Sequence, residues 1–294
     1  MFSNMNFGLI GASGYIAKRH VQAIKHVNGD LLMLADPHDN VGYIDGFFPN
    51  ASYYREIERF DRNLDRLNQE GNPIDYVSIC TPNYLHDSHI RLALRNNSNV
   101  ICEKPLVLKT EHLNLLKSLE DTYGKKINTI LQLRHHEKII KLKKRISNSN
   151  QRHQVKIKYI TPRGNWYDYS WKGIKDKSGG ILFNIGIHFF DMLIWVFGSS
   201  TNFNVTNRDK KSFGNIQLEN ADVTFELSID YNDLPYKDWT PFRSITIDGE
   251  ELDFSVGFTE LHNTSYEHII TNKGYGIDDI FQATDLIEKM TRNE

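Results

Sequence analysis

A chain of 294 residues can bury one large core or two modest ones. Its 35 Lys and Arg against 37 Asp and Glu leave a formal net charge of -2, without the basic excess of a nucleic-acid binder. The two cysteines, Cys80 and Cys102, sit in apolar strand-like runs, which reads as a pair of buried reduced thiols in a cytoplasmic protein rather than a disulfide framework. No basic segment followed by an apolar run opens the chain, so a secretory signal is not expected. The most apolar stretch, "ILFNIGIHFFDMLIWVFG" from Ile181, carries Asn184, His188 and Asp191 and reads as a buried helix, not as a membrane insertion.

In chain order, "NFGLI" predicts a strand and Tyr15 to Val27 a helix, with Ile16, Val21, Ala23, Ile24 and Val27 at helical spacing. "DLLMLAD" is a second strand and "IDYVSIC" a third. The turn "TPN" and a helix from Tyr84 to Arg95 follow, then the strand "NVIC", the tripeptide "EKP", a helix from Thr110 to Tyr123 and the strand-like "NTILQLR". Strands separated by helix-length segments predict a parallel sheet covered on both faces, a Rossmann-type domain over residues 1–127. Residues 128–294 read differently. "HQVKIKYIT" alternates as a strand does, a Gly- and Trp-containing loop leads to a helix from Asn184 to Phe197, and "ADVTFELSID", "FRSITIDG" and "ELDFSV" predict a mostly antiparallel open sheet before a last helix from Ile277. The fold class is therefore α/β, a Rossmann domain followed by an α+β domain.

The turn "GASGYIA" has glycines where a backbone must bend sharply and approach a pyrophosphate without a Cβ. Gly11, Ser13 and Gly14 are the candidate phosphate contacts, and Tyr15 and Ile16 reach toward the nicotinamide end. Asp36 closes the second strand about 20 residues on, where an acid bonds the adenosine ribose and repels a 2'-phosphate, so NAD is expected over NADP. The same turn opens short-chain epimerases, but none of the 14 tyrosines is followed four residues later by the lysine that class needs. Carboxyl ends of parallel strands bind the ligands of such a sheet, which brings Thr81, Pro82, Asn83, His86, Glu103, Lys104 and Pro105 to one crevice.

Taken together, the glycine turn, "TPNYLH", "CEKP" and "SGGILFNIGIHFFD" resemble the glucose–fructose oxidoreductase, inositol dehydrogenase and rhizopine catabolism family, across nearly the whole chain. "YITPRGNWYDYSWKG", "YNDLP" and "RSITIDGEELDFSVGFTELHNTSYE" are most similar to its branch of UDP-N-acetylglucosamine-uronate 3-dehydrogenases. The resemblance implies NAD, hydride transfer at C3 of a UDP-sugar made for lipopolysaccharide O-antigen, 2-oxoglutarate as the acceptor that reoxidises NADH, and a homo-oligomer, dimer or tetramer. Many relatives carry Asp where this chain has Asn184.

Oxidising an alcohol needs a base with a pKa near working pH, and Lys104 and His188 are the pair expected to supply it; either could take the proton. Glu103 is expected to hold Lys104 or to bond the nicotinamide ribose. For the phosphates and carboxylate of the substrate, Arg134 and Arg163 are the candidate cations, with Trp166, Tyr167 and Asn184 beside them; Trp171 and Lys172 are expected over the cofactor. Lys138, Lys141, Lys143, Lys144 and Arg145 read as a solvated helix face. His86 with His89, and His135 with His136, lack further ligands, so no metal is expected. The rival readings are a dehydrogenase of another nucleotide sugar, such as UDP-N-acetylglucosamine, and a non-catalytic NAD-binding sensor or scaffold.

Overall fold

The structure is a computed structural model that describes residues 5–236, 238–252 and 260–292. In chain order it runs β1 (Asn6–Ile10), α1 (Ala17–His26), β2 (Asp30–Ala35), β3 (Ser52–Tyr54), α2 (Ile57–Gln69), β4 (Tyr76–Ile79), α3 (His86–Arg95), β5 (Asn99–Cys102), α4 (Thr110–Tyr123), β6 (Ile127–Thr129) and α5 (Glu137–Ser147). It continues with β7 (His153–Ile160), α6 (Trp166–Tyr169), α7 (Lys175–Ser178), a π-helical turn over Leu182–Gly186, α8 (Ile187–Phe197), β8 (Ser200–Arg208), β9 (Lys211–Leu218), β10 (Ala221–Ser228), β11 (Phe242–Ile247), β12 (Glu250–Glu251), α9 (Leu261–Ile270) and α10 (Ile277–Arg292).

The first sheet has the order β3-β2-β1-β4-β5-β6 with every pairing parallel. Its central strands are buried on both faces, as the unbroken apolar runs predict: all four residues of β4 are buried. Register then does the functional work. Ile10 pairs with Ala35 on one side and Ile79 on the other, and Ile79 pairs with Cys102. The residues just beyond these, Gly11, Asp36, Cys80 and Glu103, therefore leave the sheet at one level of its carboxyl edge.

The second sheet has the order β12-β11-β7-β10-β9-β8. Only β10 with β7 is parallel; the other pairs are antiparallel, as expected of this half. The helix α8 packs on it through Phe190 against Phe225 and Phe189 against Tyr159, with ring centroids 5.2 and 5.3 Å apart. Gly186 lets the π-helical turn sit on β10, since a Cβ there would stand 3.0 Å from Leu227 and 2.6 Å from Phe190. The segment Lys175–Phe197 is long and apolar enough to cross a membrane by composition alone, but 72% of its most apolar window is buried within the fold.

Several expectations are corrected. The chain divides not at residue 127 but into interleaved units: Met1–Val107, Glu111–Ile130 and Glu260–Ile280 form one, Leu108–Thr110, Leu131–Thr259 and Phe281–Glu294 the other. The segment with α9 returns to the first unit because its apolar face, with Tyr266 and Ile269, completes the core around Phe7, Val21 and Ile24. The first helix begins at Ala17, since Gly14 to Ile16 are still turning. "NTILQLR" pairs only through Asn128 and Thr129 and then tightens into a 3-10 turn over Gln132–His135. The helix expected from Asn184 opens with the wider π-helical turn. Of "ELDFSV", Glu251 lies in β12 and residues 253–256 lie outside the described residues. Unanticipated elements are β3, α2, β8, β9 and α9. Helix α2 buries only Phe60 and Leu64, too thin a stripe to read, and β8 is rich in asparagine and threonine, so its strand character comes from pairing rather than propensity.

Candidate active site

The first unit builds its part of the site from backbone. Gly11 has φ of 87° and hands the chain across the end of β4; a Cβ there would lie 2.6 Å from the Cys80 carbonyl carbon. Only glycine meets both demands. The turn is then tied to the second strand, because the Ser13 amide donates to Asp36 Oδ2 at 2.9 Å and the His38 amide to Asp36 Oδ1 at 2.9 Å. The Ser13 amide is thus committed to Asp36. Asp36 is buried, and each carboxylate oxygen keeps a second lone pair for a ribose hydroxyl. Tyr15 is 86% exposed and Ile16 half-buried at the lip of the turn. This edge fits a dinucleotide: a cradle that no side chain could share, with an acid at the neighbouring strand end.

Across the switch from β1 to β4, the loop after β4 and the loop after β5 are bolted together by His86. Its Nδ1 lies 2.7 Å from the Pro105 carbonyl oxygen and its Nε2 2.9 Å from that of Thr81. Burial pushes its pKa down, and the two carbonyls push back. Asn83 is buried in the same loop, Pro82 is half-buried, and Thr81 shares its hydroxyl with His89 Nδ1 at 3.0 Å. Burial takes the His89 pKa down to about 4.

Glu103 begins the next loop and is buried. Its Oε1 accepts from His20 Nε2 and from His262 Nε2, each at 3.0 Å, and its Oε2 accepts from the Lys104 amide at 3.2 Å. Burial pushes the carboxyl up, but donation from the two imidazoles outweighs it and holds the group well below the usual carboxylate range. Behind His20, Nδ1 meets the Tyr266 hydroxyl at 2.8 Å, and that hydroxyl meets Ser78 Oγ at 2.6 Å. Sequence reading singled out Glu103 but none of His20, His262, Tyr266 or Ser78. No local signal marks them, since His20 and His262 lie 242 positions apart and meet only through the packing of α9 on α1. Among the described residues, His20, Glu103 and His262 are also the set whose ligand atoms fall within 4.8 Å of one another. Lys104, half-buried, follows directly.

The second unit supplies side chains from a loop and a helix. Tyr167, buried in α6, accepts through its hydroxyl from Asn184 Nδ2 at 3.0 Å, which joins the "GNWYDYSWKG" loop to the turn that precedes His188. His188 is half-buried in the first turn of α8. Arg163 is exposed, with its amide held by the Ile229 carbonyl at 3.0 Å. The Lys172 ammonium lies 5.7 Å from the ring centroids of both Trp166 and Trp171. Burial and then the nearby Arg163 charge push its pKa down. Lys172 and Tyr167 line a cavity of about 310 Å³ together with Lys175, Arg208 and Asp209, which sets three cations against one carboxylate.

Arg134 is corrected. It is buried and forms a two-pronged pair with Asp191, Nε to Oδ2 at 3.1 Å and Nη2 to Oδ1 at 2.7 Å, with its guanidinium over the Trp195 ring. It anchors α8 to the Gln132–His135 turn instead of waiting for substrate. The Asp of "GIHFFD" thereby gains a role that spacing could not reveal. Lys143 also leaves the expected solvated face: its ammonium packs 4.2 Å from the Trp195 ring centroid and donates to the Trp195 carbonyl. The thiols of Cys80 and Cys102 are free and buried.

Residues 5–130 match the family described as oxidoreductase family, NAD-binding Rossmann fold, and residues 143–235 match oxidoreductase family, C-terminal alpha/beta domain. Among solved structures, the WlbA (WbpB) dehydrogenase from Thermus thermophilus, in complex with NAD and UDP-GlcNAcA, is 41% identical with a TM-score of 0.92, covering 97% of this chain and 94% of that one. The same enzyme in complex with NAD and alpha-ketoglutarate matches equally, at 41% identity, a TM-score of 0.92 and coverage of 97% and 95%. Of curated proteins, the inositol 2-dehydrogenase of Rhizobium meliloti is 30% identical over 204 residues, 66% of this chain and 55% of that protein. The glucose-6-phosphate 3-dehydrogenase of Bacillus subtilis is 24% identical over 198 residues, 65% of this chain and 53% of that protein. The match thus spans about half the length of these curated relatives.

Proposed function

The chain belongs to the glucose–fructose oxidoreductase, inositol dehydrogenase and rhizopine catabolism family of oxidoreductases, and on that footing we propose that it is an NAD-dependent dehydrogenase that oxidises the C3 hydroxyl of UDP-N-acetylglucosaminuronate to a ketone. The observation that carries the substrate is the 41% identity, over nearly the full length of both chains, to an enzyme crystallised with NAD and UDP-GlcNAcA. When bound, the nicotinamide supplies the hydride acceptor. The residues of this chain do the rest. Gly11 and Gly14 leave room for the pyrophosphate, and Asp36 selects a ribose without a 2'-phosphate. Lys104 and His188 are the groups for the hydroxyl proton, one orienting the oxygen and the other removing its proton. Arg163, Lys172 and the cationic cavity wall beside Tyr167 serve the phosphates and the uronate carboxylate.

The same reading makes 2-oxoglutarate the acceptor that reoxidises NADH, supported by the second complex of the Thermus enzyme. It makes the chain a cytoplasmic homo-oligomer, dimer or tetramer, working in the synthesis of a diacetamido-uronic acid for lipopolysaccharide O-antigen. Steady-state assays with the UDP-uronate and NAD, with and without 2-oxoglutarate, are expected to yield a 3-keto product by mass spectrometry. Turnover of UDP-N-acetylglucosamine in preference to the uronate would shift the substrate to the neutral sugar. Binding of NAD without turnover of either sugar would leave a non-catalytic cofactor-binding protein.

A further inference from the structure

Glu103 is a buried carboxylate with two imidazole donors on one oxygen and the Lys104 amide on the other. The direction of each proton follows from the chain of contacts. A carboxylate only accepts, so His20 must donate from Nε2; with the ring neutral, its Nδ1 accepts from the Tyr266 hydroxyl, whose oxygen can in turn accept from Ser78. His262 likewise donates from Nε2, and its buried Nδ1 has no hydrogen-bonding partner among the described residues, so a second proton there would be stranded. Burial lowers the pKa of His20, which favours the neutral ring that donates from Nε2. The charges and titratable groups facing Glu103 are these two rings, the Tyr266 hydroxyl, the Cys80 and Cys102 thiols, His86 and Lys104.

Resting on the dehydrogenase reading above, we propose that His262, with His20, is a positioning residue for Lys104: the pair holds Glu103 as an oriented buried carboxylate whose second oxygen fixes the Lys104 backbone. The helix α9, which the chain returns to the first unit from its far end, is then part of the catalytic apparatus and not only of the core.

Replacing His262 by Leu removes one donor and is expected to lower kcat roughly 10- to 100-fold, with NAD affinity within about twofold of wild type. The Glu103 carboxyl rises once a donor is lost. Glu103 then holds Lys104 less firmly, so the acid limb of the kcat/KM profile, which reports the base, moves. His262→Gln, whose amide nitrogen can still donate, is expected to restore most of kcat and return the limb. Equal impairment of both variants with an unmoved limb would overturn the proposal in favour of packing alone. Histidine 15N NMR of the wild-type protein near neutral pH gives a readout without substrate: the Nε2-protonated tautomer on both His20 and His262 supports the arrangement. A doubly protonated ring, or one stoichiometric divalent metal in the purified protein, would overturn it. Should the wild-type chain fail to oxidise the UDP-uronate, the substrate reading falls while the NMR still decides the positioning network.

Discussion

The two units assemble functional side chains by different means. In the first, strand register and a glycine turn set the positions, and the polar groups are buried and paired: Asp36 with two amides, His86 with two carbonyls, Glu103 with two imidazoles and an amide. In the second, a loop and one helix set the positions. There, Tyr167 apart, the groups are half-buried or exposed, and their contacts run to aromatic residues: Lys172 over Trp166 and Trp171, Asn184 donating to the Tyr167 hydroxyl. A parallel sheet edge tolerates little variation, because each strand end is fixed by its neighbours. A loop on an open sheet can change its side chains freely. Under the proposed function, the difference matches a first unit that holds the dinucleotide and a second that holds the sugar.

That contrast can be broken by variants that separate chemistry from architecture. Lys104→Met and His188→Asn are each expected to lower kcat by about 10²- to 10⁴-fold with an unchanged melting temperature. Steady-state kinetics beside thermal denaturation would measure both; full turnover in either variant removes that residue from the chemistry. Arg134→Leu removes the guanidinium paired with buried Asp191 and is expected to destabilise the second unit by about 3–5 kcal/mol in urea unfolding. Pairing it with Asp191→Leu should recover much of that loss, which a substrate-binding arginine would not predict.

Acid should sharpen the comparison from the other side. His89, with a pKa of about 4, binds fewer protons folded than unfolded. Its contribution is whole above the unfolded value of about 6.5 and is lost as pH falls toward the folded one, on the order of 3 kcal/mol by pH 4. The depressed Glu103 carboxyl adds a further loss once the unfolded carboxylate begins to protonate near pH 4.5. Unfolding followed across this range should report the sheet of the first unit giving way, and His89→Leu should flatten the slope. The smallest effect is reserved for Asp36→Asn. It is expected to weaken NAD roughly tenfold and to narrow the preference over NADP, read by isothermal titration with each cofactor.

Legibility followed the same division. The placement of Asp36, Lys104 and the glycine turn at strand ends could be read because a parallel strand announces itself by an apolar run. Arg134 could not be read correctly: a cation in "LQLRHH" looks the same whether its partner is a phosphate or an aspartate 57 residues later. Strands β8 and β9 escaped because edge and outer strands need no apolar run of their own.

Sequence alone determined the α/β class, the cofactor edge and the family, because these depend on short-range pattern: period, glycine position and tripeptides at strand ends. The tertiary structure decided what holds those groups in place. The return of α9 to the first unit, the two imidazoles on Glu103 and the burial of Arg134 against Asp191 all join residues far apart in the chain. Their partnership is chosen by packing and by the cost of leaving a buried charge unpaired, and neither is written in any local stretch.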